Sequence, residues 1–165
     1  MTVVLVGAPG AGKSTVGQAL AGLLGCGFVD VDTRIEEVVG KSLGEIFADE
    51  GEECFRELEE RASRELLELG GIVALGSGAV VNPRIREALT GHDVIWLEVS
   101  VAQATRRLGL NTAGAPVLGN IRARLIEQLR QRAPHYAAVA STRVVTDDRR
   151  PEDIAEELAA TRRTA

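Results

Sequence analysis

Gly7-Ala8-Pro9-Gly10-Ala11-Gly12-Lys13-Ser14-Thr15 follows directly on the apolar run Val3 to Val6 and leads into Val16, Leu20, Leu23 and Leu24, which recur at helical spacing. The order is strand, glycine-rich loop, helix. The stretch fits Gly, four residues of any kind, Gly-Lys, then Ser or Thr, in the context this pattern needs. Its glycines let consecutive backbone N–H groups turn toward one centre, and the helix start adds its positive dipole end. A polyphosphate is expected there, cradled by Gly10, Ala11, Gly12 and Thr15, with Lys13 reaching the β- and γ-phosphates and the Ser14 hydroxyl on Mg²⁺. A plain tight turn with an exposed lysine is the competing reading. Gly40-Lys41-Ser42 repeats the last letters of the motif, but Ile35 stands where its first glycine belongs and a helical pattern precedes it. Lys41 is therefore expected on the surface, beside a capping serine.

The 165 residues carry a net charge of −5, with 45% hydrophobic and 3% aromatic side chains. Val, Leu, Ile and Ala must fill the core, and the length suits one domain. An acidic balance argues against a nucleic-acid groove. No apolar run approaches the roughly 18 residues that span a bilayer. Cys26 and Cys54 lack CxxC spacing, and His92 and His135 lack partners at metal-ligand spacing, so all four are expected to be ordinary residues. Met1-Thr2-Val3 opens without a basic stretch, which predicts no leader peptide and a cytoplasmic location. The expected partners are small molecules, bound by a monomer. Lys13 and Lys41 are the only lysines beside 17 arginines. A lysine kept in such a chain suits a narrow loop that accepts a compact ammonium and not a planar guanidinium.

Along the rest of the chain, Phe28 and Val29 end a second strand, and Ile35, Val38 and Val39 mark a helix that stops at Gly40. Ser42-x-x-Glu45 is a capping box that opens a short helix. Phe55, Leu58, Ala62, Leu66 and Leu69 then mark a long amphipathic helix closed by Gly70-Gly71. Residues 72–75 and 94–99 read as strands, 83–89 as a helix between them, and Ser100-x-x-Gln103 as the cap of the next. Residues 109–119 have no periodicity and are expected to form a mobile loop. Residues 122–139 read as a helix broken or kinked near Pro134, 142–145 as the last strand, and Pro151 as the start of a final helix with Ile154 and Leu158 inward. Continuous apolar strands alternating with helices imply an α/β fold whose parallel sheet is covered on both faces, with one excursion at about residues 31–61.

In such a sheet the C-terminal strand ends line the ligand crevice. Asp30-Val31-Asp32 belongs there, with one carboxylate free for the metal and the other for an acceptor hydroxyl. An N-cap role for Asp32 at the next helix is the competing reading. Arg56 follows Phe55 and has Glu59 on the same helix face, which suits either a grip on an anionic substrate or a plain surface salt bridge. Gly76-Ser77-Gly78 ends an apolar strand and would admit a ligand close to the backbone, or make a simple turn.

These residues together resemble the shikimate kinases, small P-loop kinases of the nucleoside-monophosphate-kinase-like fold. The match takes in residues 7–15, Asp30-Val31-Asp32, Phe47, Gly51-Glu52, Phe55-Arg56 with Glu59, residues 76–79, Arg106-Arg107, Asn111-Thr112, and Arg132-Ala133-Pro134 with Tyr136. The resemblance implies a five-stranded parallel sheet of order 2-3-1-4-5, ATP and Mg²⁺ as cofactors, and transfer of the γ-phosphate to the 3-hydroxyl of shikimate. It further implies that Asp30 supports Mg²⁺ through water beside Ser14, and that Asp32 acts as base at the acceptor hydroxyl. Arg56 and Arg132 would clamp the shikimate carboxylate, with Gly76, Ser77 and Gly78 against the substrate. Arg107 would lie on the adenine side of ATP, and residues 109–120 would form a closing lid.

Two positions depart from the family. Ser77 replaces the middle of three glycines, adding a side chain where a backbone N–H normally meets substrate. The lid reads Gly114-Ala115-Pro116-Val117-Leu118, without the arginine that the family carries just before its proline. Three expectations follow. The chain is a shikimate kinase whose lid charge comes from elsewhere, such as Arg122 or Arg124, or a kinase of the same fold for another small hydroxylated acid, or a nucleotide-binding protein with little or no transferase activity.

Overall fold

The computed structural model describes residues 2–110 and 116–163. Five parallel strands, β1 (Val3–Val6), β2 (Phe28–Asp30), β3 (Ile72–Ala74), β4 (Asp93–Glu98) and β5 (Thr142–Val145), form one sheet in the order β2-β3-β1-β4-β5. The helices are α1 (Lys13–Leu24), α2 (Val31–Val39), α3 (Leu43–Leu69), α4 (Pro83–Ala88), α5 (Val101–Arg107), α6 (Pro116–Val139) and α7 (Pro151–Arg163). The sheet order and its parallel sense are those expected.

Successive side chains of a strand face opposite ways, and the apolar strands accordingly feed two cores. Leu5, Ile72, Ala74, Ile95 and Leu97 pack on one face with Leu20 of α1 and Ile154 and Leu158 of α7. Val4, Val6, Val73, Leu75, Val94 and Trp96 pack on the other with Ile35, Phe55, Leu66 and Tyr136. Burial on both faces is why these strands read as unbroken apolar runs. On the first face α1 lies so close to the sheet that a Cβ on Gly17 would fall 2.3 Å from Cε2 of Phe28.

Some local expectations hold in the structure and others change. The short and the long helix expected after Ser42 both form, following one another as the two parts of α3 on either side of Gly51, whose φ of 84° and ψ of 169° are not helical. The Ser42 capping box forms as expected, and exposed Lys41 pairs with Asp49 and Glu50. Ser100 caps α5 as expected. Its hydroxyl accepts from Gln103 N, but the Gln103 side chain turns to Asp148, and Asp147 accepts from Ser100 N instead. Residues 116–119, expected in the loop, belong to α6, because a proline is well suited to the first position of a helix. Residues 111–115 of the expected loop lie outside the described residues. At Pro134, where a break or kink was expected, α6 continues without a break. Proline removes one backbone donor, and buried Tyr136 two residues on anchors the last turns against the sheet.

Candidate active site

The loop from β1 to α1 is built as its sequence requires. Gly7, Gly10 and Gly12 take φ values of 155°, 80° and 89°, of which the last two lie well inside the left-handed region. Lys13 folds back along this loop, donating from Nζ to the carbonyls of Gly7 at 2.8 Å and Ala8 at 3.1 Å. Burial presses its pKa down to about 8, against the opposing pull of Asp32 and Asp30 and assisted by Arg132. A half-buried ammonium satisfied only by carbonyls is poised to turn to a stronger anion.

Asp30 closes the loop from the neighbouring strand. Its Oδ2 accepts from Ser14 Oγ at 2.6 Å, while Oδ1 caps α2 by accepting from Asp32 N and Thr33 N at 3.0 and 3.3 Å. The capping role considered for Asp32 thus falls to Asp30. Paired hydroxyl and carboxylate oxygens are the hard donors Mg²⁺ takes, and Mg²⁺ commonly draws its other ligands from water and phosphate. Among the described residues no group of three or more His, Cys, Asp or Glu could hold a metal ion.

Asp32, freed from capping, faces the exit of β3. Its Oδ1 is buried without a hydrogen-bond partner, and its pKa is pushed up to about 6, first by burial and then by the charges of Asp30 and Glu59. A Cβ on Gly76 would sit 2.7 Å from Glu59 Oε1 and 2.8 Å from Asp32 Oδ1. Two residues on, a Cβ on Gly78 would meet Arg56 Nη1 and Nη2 at 2.8 and 2.9 Å and Arg132 Nη2 at 3.2 Å. Both glycines are therefore required by close approach: they let two carboxylates and two guanidiniums converge on one turn of backbone.

Arg56 is no surface pair. Its Nη1 lies 2.8 Å from Oε2 of Glu59, whose side chain is only 2% exposed, and it stacks 5.2 Å from the centre of the Phe55 ring. Burial pushes the Glu59 carboxyl up, and Arg56 and Arg132 hold it down. The Ser77 side chain, expected to intrude on the substrate, is turned to accept from Arg132 Nη1 at 3.3 Å.

On the other side of the loop, Arg107 donates to Gly10 O at 3.0 Å and to Thr146 O at 2.7 Å, tying the loop to the end of β5. A cavity of about 170 Å³ opens beside it, lined by Gly12, Thr15, Arg107, Thr146, Arg149 and Pro151. Arg122 and Arg124 are exposed on α6. The sequence reading gave Glu59 no role beyond holding Arg56 and gave Thr146 none at all. The signal for Glu59 is a charge on the inward stripe of α3, four residues after Phe55 and seven before Leu66.

The family described as shikimate kinase matches residues 9–162. The chain belongs to the shikimate kinase family. It is 55% identical to a shikimate kinase of Salinispora tropica over 159 residues, 95% of each chain. A second shikimate kinase, from Thermobifida fusca, is 48% identical over 94% of this chain and 91% of its own. Among solved structures, the shikimate kinase of Acinetobacter baumannii in complex with shikimate superposes with a TM-score of 0.89 at 32% identity, covering 99% of this chain and 93% of that one. Family membership carries with it ATP-dependent kinase chemistry with Mg²⁺. Among the described residues no helix is long and apolar enough to cross a membrane.

Proposed function

We propose that the protein transfers the γ-phosphate of ATP to the 3-hydroxyl of shikimate. The observation that carries this reading is the convergence of Asp32, Arg56 and Arg132 on Gly76 to Gly78, at the same sheet edge as Lys13. Arg56 and Arg132 grip the carboxylate of the acid, with fork geometry suited to a carboxylate. That grip brings the ring hydroxyl to Asp32, whose raised pKa suits a base that takes the hydroxyl proton. Lys13 leaves the carbonyls of Gly7 and Ala8 for the phosphate oxygens, and the N–H groups of residues 10–15 hold the rest of the chain of phosphates. Mg²⁺, when bound, neutralises phosphate charge; Ser14 would hold it directly and Asp30 through water. The adenine base lies in the cavity beside Arg107 and Pro151.

On this reading the chain is a single domain in which about residues 31–61 carry the acid site and residues 109–120 the lid, and it works as a cytoplasmic monomer. A coupled ADP-release assay with ATP, Mg²⁺ and a panel of polyhydroxylated acids tests it. Turnover with shikimate is the expected result. Turnover confined to another acid would shift the substrate, and ATP binding without turnover would remove the transferase activity. Ala115 in the lid gives that last outcome its motive.

A further inference from the structure

Both oxygens of Ser77 are used by α6. Tyr136 Oη donates to the Ser77 carbonyl at 2.5 Å, and Arg132 Nη1 donates to the Ser77 hydroxyl at 3.3 Å. Residues 132 and 136 lie one turn apart on the same helix face, so one residue at the exit of β3 receives both. Burial pushes the Tyr136 phenol up to about 12, and it remains a neutral donor.

The two guanidiniums over Gly78 are held differently. Arg56 is paired with Glu59 at 2.8 Å and Glu52 at 3.6 Å. Arg132 has no carboxylate at ion-pair distance among the described residues; what holds it is the neutral Ser77 hydroxyl, with the Tyr136 phenol beside it. A neutral acceptor fixes the direction of a guanidinium without cancelling its charge. Glycine at this position offers the backbone carbonyl but no side-chain acceptor for the guanidinium.

We propose that Ser77 is a positioning residue of the acid clamp: its hydroxyl holds the Arg132 guanidinium over Gly78, so that the bound carboxylate meets an oriented positive charge that is not tied up in an ion pair. The inference rests on the shikimate reading above. It turns the departure from the glycine triplet into part of the site.

The test compares wild type with Ser77→Ala, Ser77→Thr, Arg132→Ala and the double variant Ser77→Ala/Arg132→Ala. Steady-state kinetics and calorimetric titration with shikimate are both measured. Ser77→Ala is expected to raise KM and Kd for shikimate roughly three- to tenfold, as for a partly exposed hydrogen bond to a charged group. The kcat and the ATP KM should stay within about twofold, since the contact is made to bound acid and not only in the transition state. Ser77→Thr should recover most of the loss. In the Arg132→Ala background Ser77→Ala should cost nothing further, because the hydroxyl acts through the guanidinium.

A Ser77→Ala penalty that persists in that background, that falls on ATP, or that is absent overturns the proposal. A wild type that binds shikimate without turning it over overturns the kinase reading, while the Kd comparison still decides the role of Ser77. A wild type that does not bind shikimate overturns both.

Discussion

Ser14 and Asp30, the second residue of α1 and the last residue of β2, are joined by a 2.6 Å hydrogen bond, and the same Asp30 carboxylate caps α2. One side chain thus caps the helix and, on the function proposed above, also serves the metal site. The two roles separate by substitution. Asp30→Asn keeps an oxygen for the cap and loses the charge, so its melting temperature should stay close to wild type while the Mg²⁺ requirement for turnover rises at least tenfold. Asp30→Ala should lose the cap as well, at about 1 kcal/mol, or a fall of roughly 2–4 °C. Thermal melts beside Mg²⁺ titrations of activity check both.

Lys13→Ala should abolish ATP-dependent phosphorylation with the circular dichroism spectrum unchanged, because the side chain bonds only to carbonyls of its own loop. Lys13→Arg should retain little activity, since a guanidinium is broader than the ammonium this loop is built around. Normal turnover in Lys13→Ala would remove the phosphate role, and normal turnover in Lys13→Arg the argument from the width of the loop.

Asp32 has its carboxyl raised from the ordinary 3.8 to about 6. Between those values the folded protein holds a proton that the unfolded chain has lost, so Asp32 makes stability fall as pH rises from about 4 through 6. Asp32→Asn cannot ionise. In Mg²⁺-free buffer it should melt a few degrees above wild type at pH 7.5, on the order of 1 kcal/mol after allowance for solvent screening, and with no advantage near pH 4. Its kcat should fall steeply, by about 10² or more, since the group that takes the hydroxyl proton is gone. A variant as active as wild type would take the base role from Asp32.

Arg56→Ala should raise the KM for shikimate with little change in that for ATP. Gly78→Ala should do the same through a different cause, because its Cβ would sit 2.8 Å from Arg56 Nη1 and force the guanidinium aside. Losses of at least tenfold are expected for both in acid KM, measured at saturating ATP. A change confined to the ATP KM would place the carboxylate clamp elsewhere.

The lid role proposed for residues 109–120 is tested by adding back the arginine that the sequence lacks. Ala115→Arg should raise kcat if no other cation reaches the transferring phosphate, with an upper bound of about 10³ to 10⁵ for an arginine in that role. If Arg122 or Arg124, both exposed on α6, already supplies the charge, one of their Ala variants should lose kcat at nearly constant ATP affinity. An active wild type indifferent to all three substitutions removes the need for a lid arginine.

Residues 7–15 with their flanking apolar runs were enough to read strand, phosphate loop and helix, because that motif is local: backbone turn, helix start and lysine all come from consecutive residues. The parallel sheet was legible for a related reason, since strands buried on both faces must be apolar throughout. What stayed hidden depends on residues far apart in the chain. Asp30 and Asp32 differ by two positions, and only the direction of α2 decides which of them caps the helix and which is left with an unpartnered oxygen beside Glu59. From spacing alone Arg56 reads first as a surface pair, and the burial of Glu59 under the exit of β3 overturns that reading. Ser77 looked like an obstruction because spacing cannot show that α6, more than fifty residues later, lays Arg132 and Tyr136 across it. Hydrogen bonds and desolvation are set by distance in space, and for these residues only the packing of α3 and α6 against the sheet edge supplies that distance.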